Sequence, residues 1–180
     1  MLQSLTLKLF RYNVRDMSVN ETYLSELHSR TSRDSQMSLS KFSDSTKKDS
    51  ETAIAVISDP TGGIVEVSDE YMPSLGMPEE ILNEFRKTRA ELDIDDDIER
   101  HNTAASQVKL EERYKKHLKE NEDATKKVTE LSERVQNGED ITLVCFEKQP
   151  KWCHRHILKE QVKQLLEDRK ENNKNSAHSG

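Results

Sequence analysis

Two cysteines in 180 residues are too few for the disulfide framework of a small secreted domain. No run of about 18 apolar residues occurs, so the sequence offers no membrane-spanning helix. The opening "MLQSLTLKLFRYNVRDM" alternates polar and apolar residues, where a secretory leader would place a charged start before an apolar block. Positive charge is also in short supply: 28 Lys and Arg against 34 Asp and Glu leave a net charge of −6. That balance speaks against a dominant electrostatic grip on nucleic acid or anionic membrane, while leaving room for a local basic site. Apolar residues make up 32% of the chain and charged residues 34%, on the polar side of the globular norm, so part of the chain is expected to pack loosely. The length suits one domain with one core. A soluble, cytoplasmic protein is expected.

What is there begins with "SLTLKLF", where Leu5, Leu7 and Leu9 alternate with polar neighbours as in a strand with one buried face. A short helix is expected around Ser18 to Arg30, with Val19, Tyr23, Leu24 and Leu27 on one side. Residues 1–30 would thus supply an N-terminal strand and helix. Residues 31–51 hold seven serines in twenty-one residues and almost no apolar periodicity, which predicts a disordered insertion. The body of the domain is expected over residues 52–170, with a disordered tail over 171–180.

Within that body, Ala53 to Ile57 reads as a central strand and Ile64 to Val67 as a second short β-rich piece after a Pro/Gly turn. Ile81, Leu82, Phe85 and Leu92 fall at helical spacing, with Pro78 near the first turn and Glu79 and Glu80 beside the positive helix end. The run from Asp93 to Glu99 holds five acids in seven residues. As an EF-hand it fails, because its sharp-turn glycine would be Ile98 and its bidentate glutamate Ala104; a solvated acidic loop is expected. Leu110, Tyr114 and Leu118 mark one amphipathic helix. Ala124, Val128, Leu131 and Val135 mark another, which stops at Asn137-Gly138. "DITLVCF" reads as a strand, and a last helix starts near Cys153. Strands separated by helices predict a single compact α/β domain with a mostly parallel sheet and flanking helices.

The chemistry concentrates in "LVCFEKQPKWCHRHILKEQ", where nineteen residues contain both cysteines, two of the six histidines and the single tryptophan. The stretch passes from a strand end into a helix N-terminus, the place where parallel sheets form sites. Strand alternation puts Cys145 on one face with Ile141 and Leu143, and burial should raise its pKa. Cys153 opens the helix, where the dipole and nearby Lys151 and Arg155 should lower its pKa, so Cys153 is expected to be the more reactive thiol; a loop that leaves Cys145 at an open strand end beneath the helix N-terminus would reverse the order. On the helical wheel His154 lies near the centre of the apolar stripe of Ile157, Leu158, Val162 and Leu165, while His156 points nearly opposite, toward solvent.

The same stretch resembles the signature of the family catalogued as domain of unknown function 488 (DUF488): an apolar strand, Cys-x-Glu, a short loop with proline, then Cys-His-Arg opening a helix. Cys145, Glu147, Pro150, Cys153, His154 and Arg155 match in order and spacing. Upstream, "DEYMPSLGMPEEILNEFR" is similar to the family's Pro-x-Leu-Gly segment before a helix, and "ERYKKHL" to a helical stretch. The resemblance covers about Ala53 to Arg169 and implies a compact α/β domain with the Cys-His-Arg corner as its functional centre. One departure stands out. Family members carry an arginine after the central strand, before a proline, whereas "AVISDPTGG" puts Ser58 or Asp59 there. If that arginine binds an anionic substrate, this chain has altered or lost the step.

The residues leave several functions open. A thiol-dependent enzyme acting on an anionic substrate would use Cys145 or Cys153 as nucleophile, His154 as base, Glu147 as a second acid/base, and Arg155 with Lys151 as anion binders. A Cys-x5-Arg phosphatase loop is excluded by counting, since Lys151 stands six residues after Cys145. A non-catalytic module would use Arg155, Lys148, Lys151 and the helix N-terminus to hold a small anionic ligand, a phosphate or a nucleic-acid end, with Trp152 as a stacking face. Zinc on Cys145, Cys153 and His154 would need a fourth ligand and lacks a short cysteine knuckle, so no metal or other cofactor is expected. A purely structural corner would bury both thiols, bond His154 to a backbone carbonyl and pair Arg155 with Glu147. Whether the chain is an enzyme stays open at this point.

Overall fold

The computed structural model describes residues 19–23, 51–60 and 63–177. Four strands, β1 (Val19–Tyr23), β2 (Thr52–Ala55), β3 (Glu70–Tyr71) and β4 (Ile141–Cys145), form one wholly parallel sheet in the order β1-β4-β2-β3. A 3-10 turn at Pro73–Leu75 follows β3. Five helices complete the domain: α1 (Glu79–Glu91), α2 (Asp97–Gln107), α3 (Leu110–Glu120), α4 (Glu122–Gln136) and α5 (His154–Ala177). The expected α/β class with a parallel sheet and flanking helices is what the structure shows.

β4 lies between two neighbours, with Ile141 level with both Val19 and Thr52. All five of its residues are buried. This explains the continuous apolar run of "ITLVC", the pattern of a strand covered on both faces. The main core joins Val19, Ile54, Val56, Ile141 and Leu143 of the sheet to Ile157, Leu158 and Val162 of α5 and to the apolar faces of α1 to α4. A smaller cluster gathers Ala53, Ala55, Ile57, Val144, Cys145 and Cys153, covered by Ile64, Val65, Val67 and Tyr71.

Several expectations change. Leu5 to Leu9 and the Ser-rich residues 31–50 lie outside the described residues. Val19–Tyr23, expected in a helix, forms a strand, because pairing beside β4 satisfies its backbone and buries Val19 and Thr22. Ile64 to Val67 forms turns over the sheet face, and the short third strand falls later, at Glu70–Tyr71. The last helix runs on to Ala177, past Glu171, where a disordered tail was expected. The acidic run is also more than a solvated loop. Asp96 caps α2 by accepting from the Glu99 N–H at 2.7 Å, and Asp97 binds Arg89, Arg100 and Lys151. Among the described residues no helix is long and apolar enough to cross a membrane.

Two details position the site. Gly76 follows the 3-10 turn at a point where a Cβ would sit 2.2 Å from the Ser58 backbone nitrogen, so only glycine allows this crossing against the end of β2. Tyr114 of α3 is fully buried, and its hydroxyl donates to the Leu75 carbonyl at 2.5 Å. Helix α3 therefore holds both the turn and the floor beneath the Cys-His corner.

Candidate functional site: a cysteine–histidine corner under an open cleft

His154 is the first residue of α5 and is 7% exposed. Its Nε2 lies 2.6 Å from the Val56 carbonyl, and its Nδ1 lies 3.9 Å from Cys145 Sγ. A carbonyl can only accept, so Nε2 carries the proton and Nδ1 faces the thiol. The Tyr114 ring packs edge-on against the imidazole, with centroids 5.2 Å apart. The inward orientation read from the helical wheel is the observed one.

The two thiols diverge, in the direction opposite to the expectation. Cys145 is held well below the usual thiol range, first by a hydrogen bond from Cys153, then by the charge of His154 and its hydrogen bond, with the Glu147 backbone N–H helping against burial. Cys153 is pushed well above that range by burial, and further by its hydrogen bond to Cys145 and by the charge there. Burial alone would lower the His154 pKa, but the Cys145 charge and hydrogen bond and the Val56 carbonyl outweigh it and raise it. Cys145 is thus the more acidic of the two thiols, Cys153 donates to it, and His154 is more basic than a free imidazole. The helix-end argument for Cys153 fails because burial and the neighbouring Cys145 outweigh the lowering by the Arg155 charge and backbone N–H.

Cys145, Cys153 and His154 line a cleft of about 180 Å³. Its walls come from Ser58 and Asp59 after β2, from Leu82, Phe85, Arg86 and Arg89 of α1, from His101 of α2, and from Phe146, Glu147 and Trp152 of the motif loop. A larger, more open groove of about 650 Å³ runs along Lys109 to Lys115 but has neither thiol in its lining. Arg86 is exposed, and among the described residues it has no hydrogen bond or ion pair. Arg89 is bound to Asp97 at 2.5 Å.

Arg155 and Lys151, expected to bind the anion, do not line the cleft. Arg155 is 2% exposed, and its Nη1 donates to the Glu147 carbonyl at 2.7 Å, while its Nε lies 3.9 Å from Glu21 and makes no hydrogen bond. Its partner is thus the Glu147 backbone and not the carboxylate that a purely structural corner would have used. Lys151 is paired with Asp97 at 2.5 Å. Glu147 does line the cleft, with its carboxylate 3.9 Å from His101 Nδ1. His156, expected to face solvent, is bound to the Glu21 carboxylate, which Lys159 also approaches at 3.8 Å. The expectation missed this because Glu21 was placed in a helix and not in a strand beside β4.

Sequence reasoning also missed Arg86, His101 and Glu21. A signal for Arg86 existed: Leu82, Phe85, Arg86 and Arg89 follow i, i+3, i+4, i+7, so two arginines share the apolar face of α1. His101 had no comparable signal, since α2 buries only His101, Ala104 and Ala105 and shows no strong apolar stripe.

Fold and site together define the class: a parallel α/β domain with a histidine-paired cysteine at the C-terminal edge of its central strand. The model of one family, DUF488-N3a, described as the active DUF488-N3 subclade, matches residues 37–166. That is more than half of the chain, and the chain belongs to the DUF488 family. No curated protein and no solved structure matches it.

Proposed function

We propose that this protein is a thiol-dependent enzyme acting on a small anionic substrate, with Cys145 as nucleophile, His154 as its base and Arg86 as the anion binder. The reading is carried by one observation: the Cys145–His154 pair lies under an open cleft whose lining includes an unpaired guanidinium. The Val56 carbonyl orients the imidazole, as a third group orients the base in other nucleophile–base pairs. The thiolate attacks an electrophilic centre of the substrate and the bond to the leaving group breaks. Water then releases the covalent product. Arg86 lines the same cleft as Ser58 and Asp59, the positions where the family's arginine was expected. A module that only holds a phosphate or a nucleic-acid end has less support, because Arg155 and Lys151, two of the three cations it would use, are occupied within the fold.

A second reading is zinc. The sulfurs of Cys145 and Cys153 and one ring nitrogen of His154 lie within 4.8 Å of one another, a three-donor set whose residues all line the cleft. It predicts that a chelator speeds alkylation of both thiols, which the thiol reading does not.

The test of the first reading is protection by inorganic phosphate. Phosphate should slow alkylation of Cys145 in the native protein, and Arg86→Ala should weaken that protection by about tenfold, the scale of a charge-assisted hydrogen bond. Equal protection in both proteins would remove Arg86 from the site.

A further inference from the structure

The thiol cleft has a basic neighbour. An open pocket of about 280 Å³ is lined by Arg86, Arg89 and Ala90 of α1, by Leu92 just after that helix, and by Arg100 of α2. Three of its five lining residues are arginines, and none is acidic. Arg86 and Arg89 also line the cleft that holds Cys145, so the two spaces meet along one turn of α1. Residues three apart on a helix stand about 5–6 Å apart at Cβ, a distance that one small molecule can bridge.

Charge at this pocket is unbalanced. Asp97 carries ion pairs from Arg89 at 2.5 Å, Arg100 at 3.0 Å and Lys151 at 2.5 Å. One carboxylate cannot neutralise three cations, and Arg86 adds another that has no partner among the described residues. A guanidinium has five N–H donors, of which Arg89 gives one to Asp97, while Arg100 gives one to Asp97 and one to the Ile94 carbonyl. Both side chains are about one-third exposed, at 34% and 32%, so spare donors can reach a ligand. Guanidinium forks match the paired oxygens of phosphate and carboxylate groups.

The surroundings limit the size of that ligand. Asp93, Asp95, Asp96 and Glu99, which lie between Leu92 and Arg100 in the chain, are all exposed. They repel a long polyanion laid across this surface, as does the net charge of −6. A short ligand held inside the two spaces meets the arginines first. We infer that Arg89 and Arg100 form a second anion site beside the Cys145 cleft, so that the substrate is a small molecule with two adjacent anionic groups, of the diphosphate class; this rests on the thiol reading proposed above. One group lies at Arg86 in the cleft and the other between Arg89 and Arg100.

Calorimetric titration of the full-length protein compares inorganic phosphate with pyrophosphate, and alkylation of Cys145 is followed beside it. Pyrophosphate should bind at least about tenfold more tightly, the gain from one further charge-assisted contact. Arg100→Gln should remove that gain while weakening phosphate by less than about threefold, and Arg86→Ala should weaken both ligands. Lys87→Gln is the control: it removes a charge from the same helix outside both linings, where Lys87 lies 3.9 Å from Glu91, and should leave the gain in place. If melting shows that Arg100→Gln does not fold, Arg89→Gln makes the same comparison. No gain, a gain that survives the arginine change, or one that Lys87→Gln abolishes equally, overturns the second site. Oligothymidylate binding more tightly than pyrophosphate overturns the small ligand in favour of a nucleic-acid backbone. Phosphate that protects Cys145 without any pyrophosphate gain overturns the second site and leaves the thiol reading standing. A gain that depends on Arg100, with neither ligand protecting Cys145, supports the anion site and overturns the thiol reading.

Discussion

The two ends of the parallel sheet treat charge in opposite ways. At the N-terminal edge, Arg134 of α4 makes two hydrogen bonds to Glu70, at 2.8 and 2.6 Å, and two to Glu139, at 2.8 and 2.5 Å. Thr52 adds a further donor to Glu139 at 2.8 Å. Three successive strand starts are tied together and every partner is matched. At the C-terminal edge, His101 and Arg155 are more deeply buried, yet each keeps a ring or guanidinium nitrogen unbonded. Two thiols are pushed in opposite directions there. The first end spends its polar groups on stability. The second leaves them incompletely satisfied beside an open cleft, the pattern expected where chemistry sets the arrangement.

Mutations at the two ends should therefore separate reactivity from stability. The largest effect is expected from His154→Gln, which keeps a donor for the Val56 carbonyl but cannot become a cation. Cys145 then loses the charge and the hydrogen bond that lower its pKa. Its alkylation rate at neutral pH should fall by about tenfold for each unit of pKa regained. Thermal melting beside the alkylation assay checks that the fold survives; an unchanged rate in a folded variant would break the proposed pairing. Arg134→Met should do the reverse. Alkylation of Cys145 should stay as it is, while stability drops by about 1 kcal/mol, the scale for a partly exposed ionic network. The Glu139 carboxyl, held low first by its hydrogen bond from Arg134, contributes stability above its usual range that is lost as pH falls through the lowered value. The variant should lose that part of its acid sensitivity, read as melting temperature against pH.

The sequence revealed the two ends unequally. Ile141 to Cys145 could be read as a continuous apolar run, although strand alternation put Cys145 with Ile141 and Leu143, whereas it packs in the smaller cluster with Val144. The α5 stripe could be read by its helical period, which alone turns His154 inward. The amphipathic faces of α3 and α4 were legible for the same reason, down to the stop at Asn137-Gly138, where Gly138 has φ +91°. β1 was not legible. Val19 to Tyr23 is short, and what makes it a strand is its register with β4, more than a hundred residues away. Once that strand was misplaced, Glu21 was lost, and with it the partner of His156. The thiol order failed for a related reason. Helix-end position is a local property, whereas the shift at each sulfur depends on which one donates to the other and on the His154 contact, both set by the packing of α5 on the strand ends.

The claim that Cys145, and not Cys153, is the thiolate of this site is tested most directly by alkylating the native protein with iodoacetamide across a pH series and reading each cysteine separately by mass spectrometry. Cys145 should react first and keep reacting below the ordinary thiol pKa of about 8.5, while Cys153 stays protected until higher pH or unfolding. Faster reaction at Cys153, or protection of both thiols until the protein unfolds, would contradict the account.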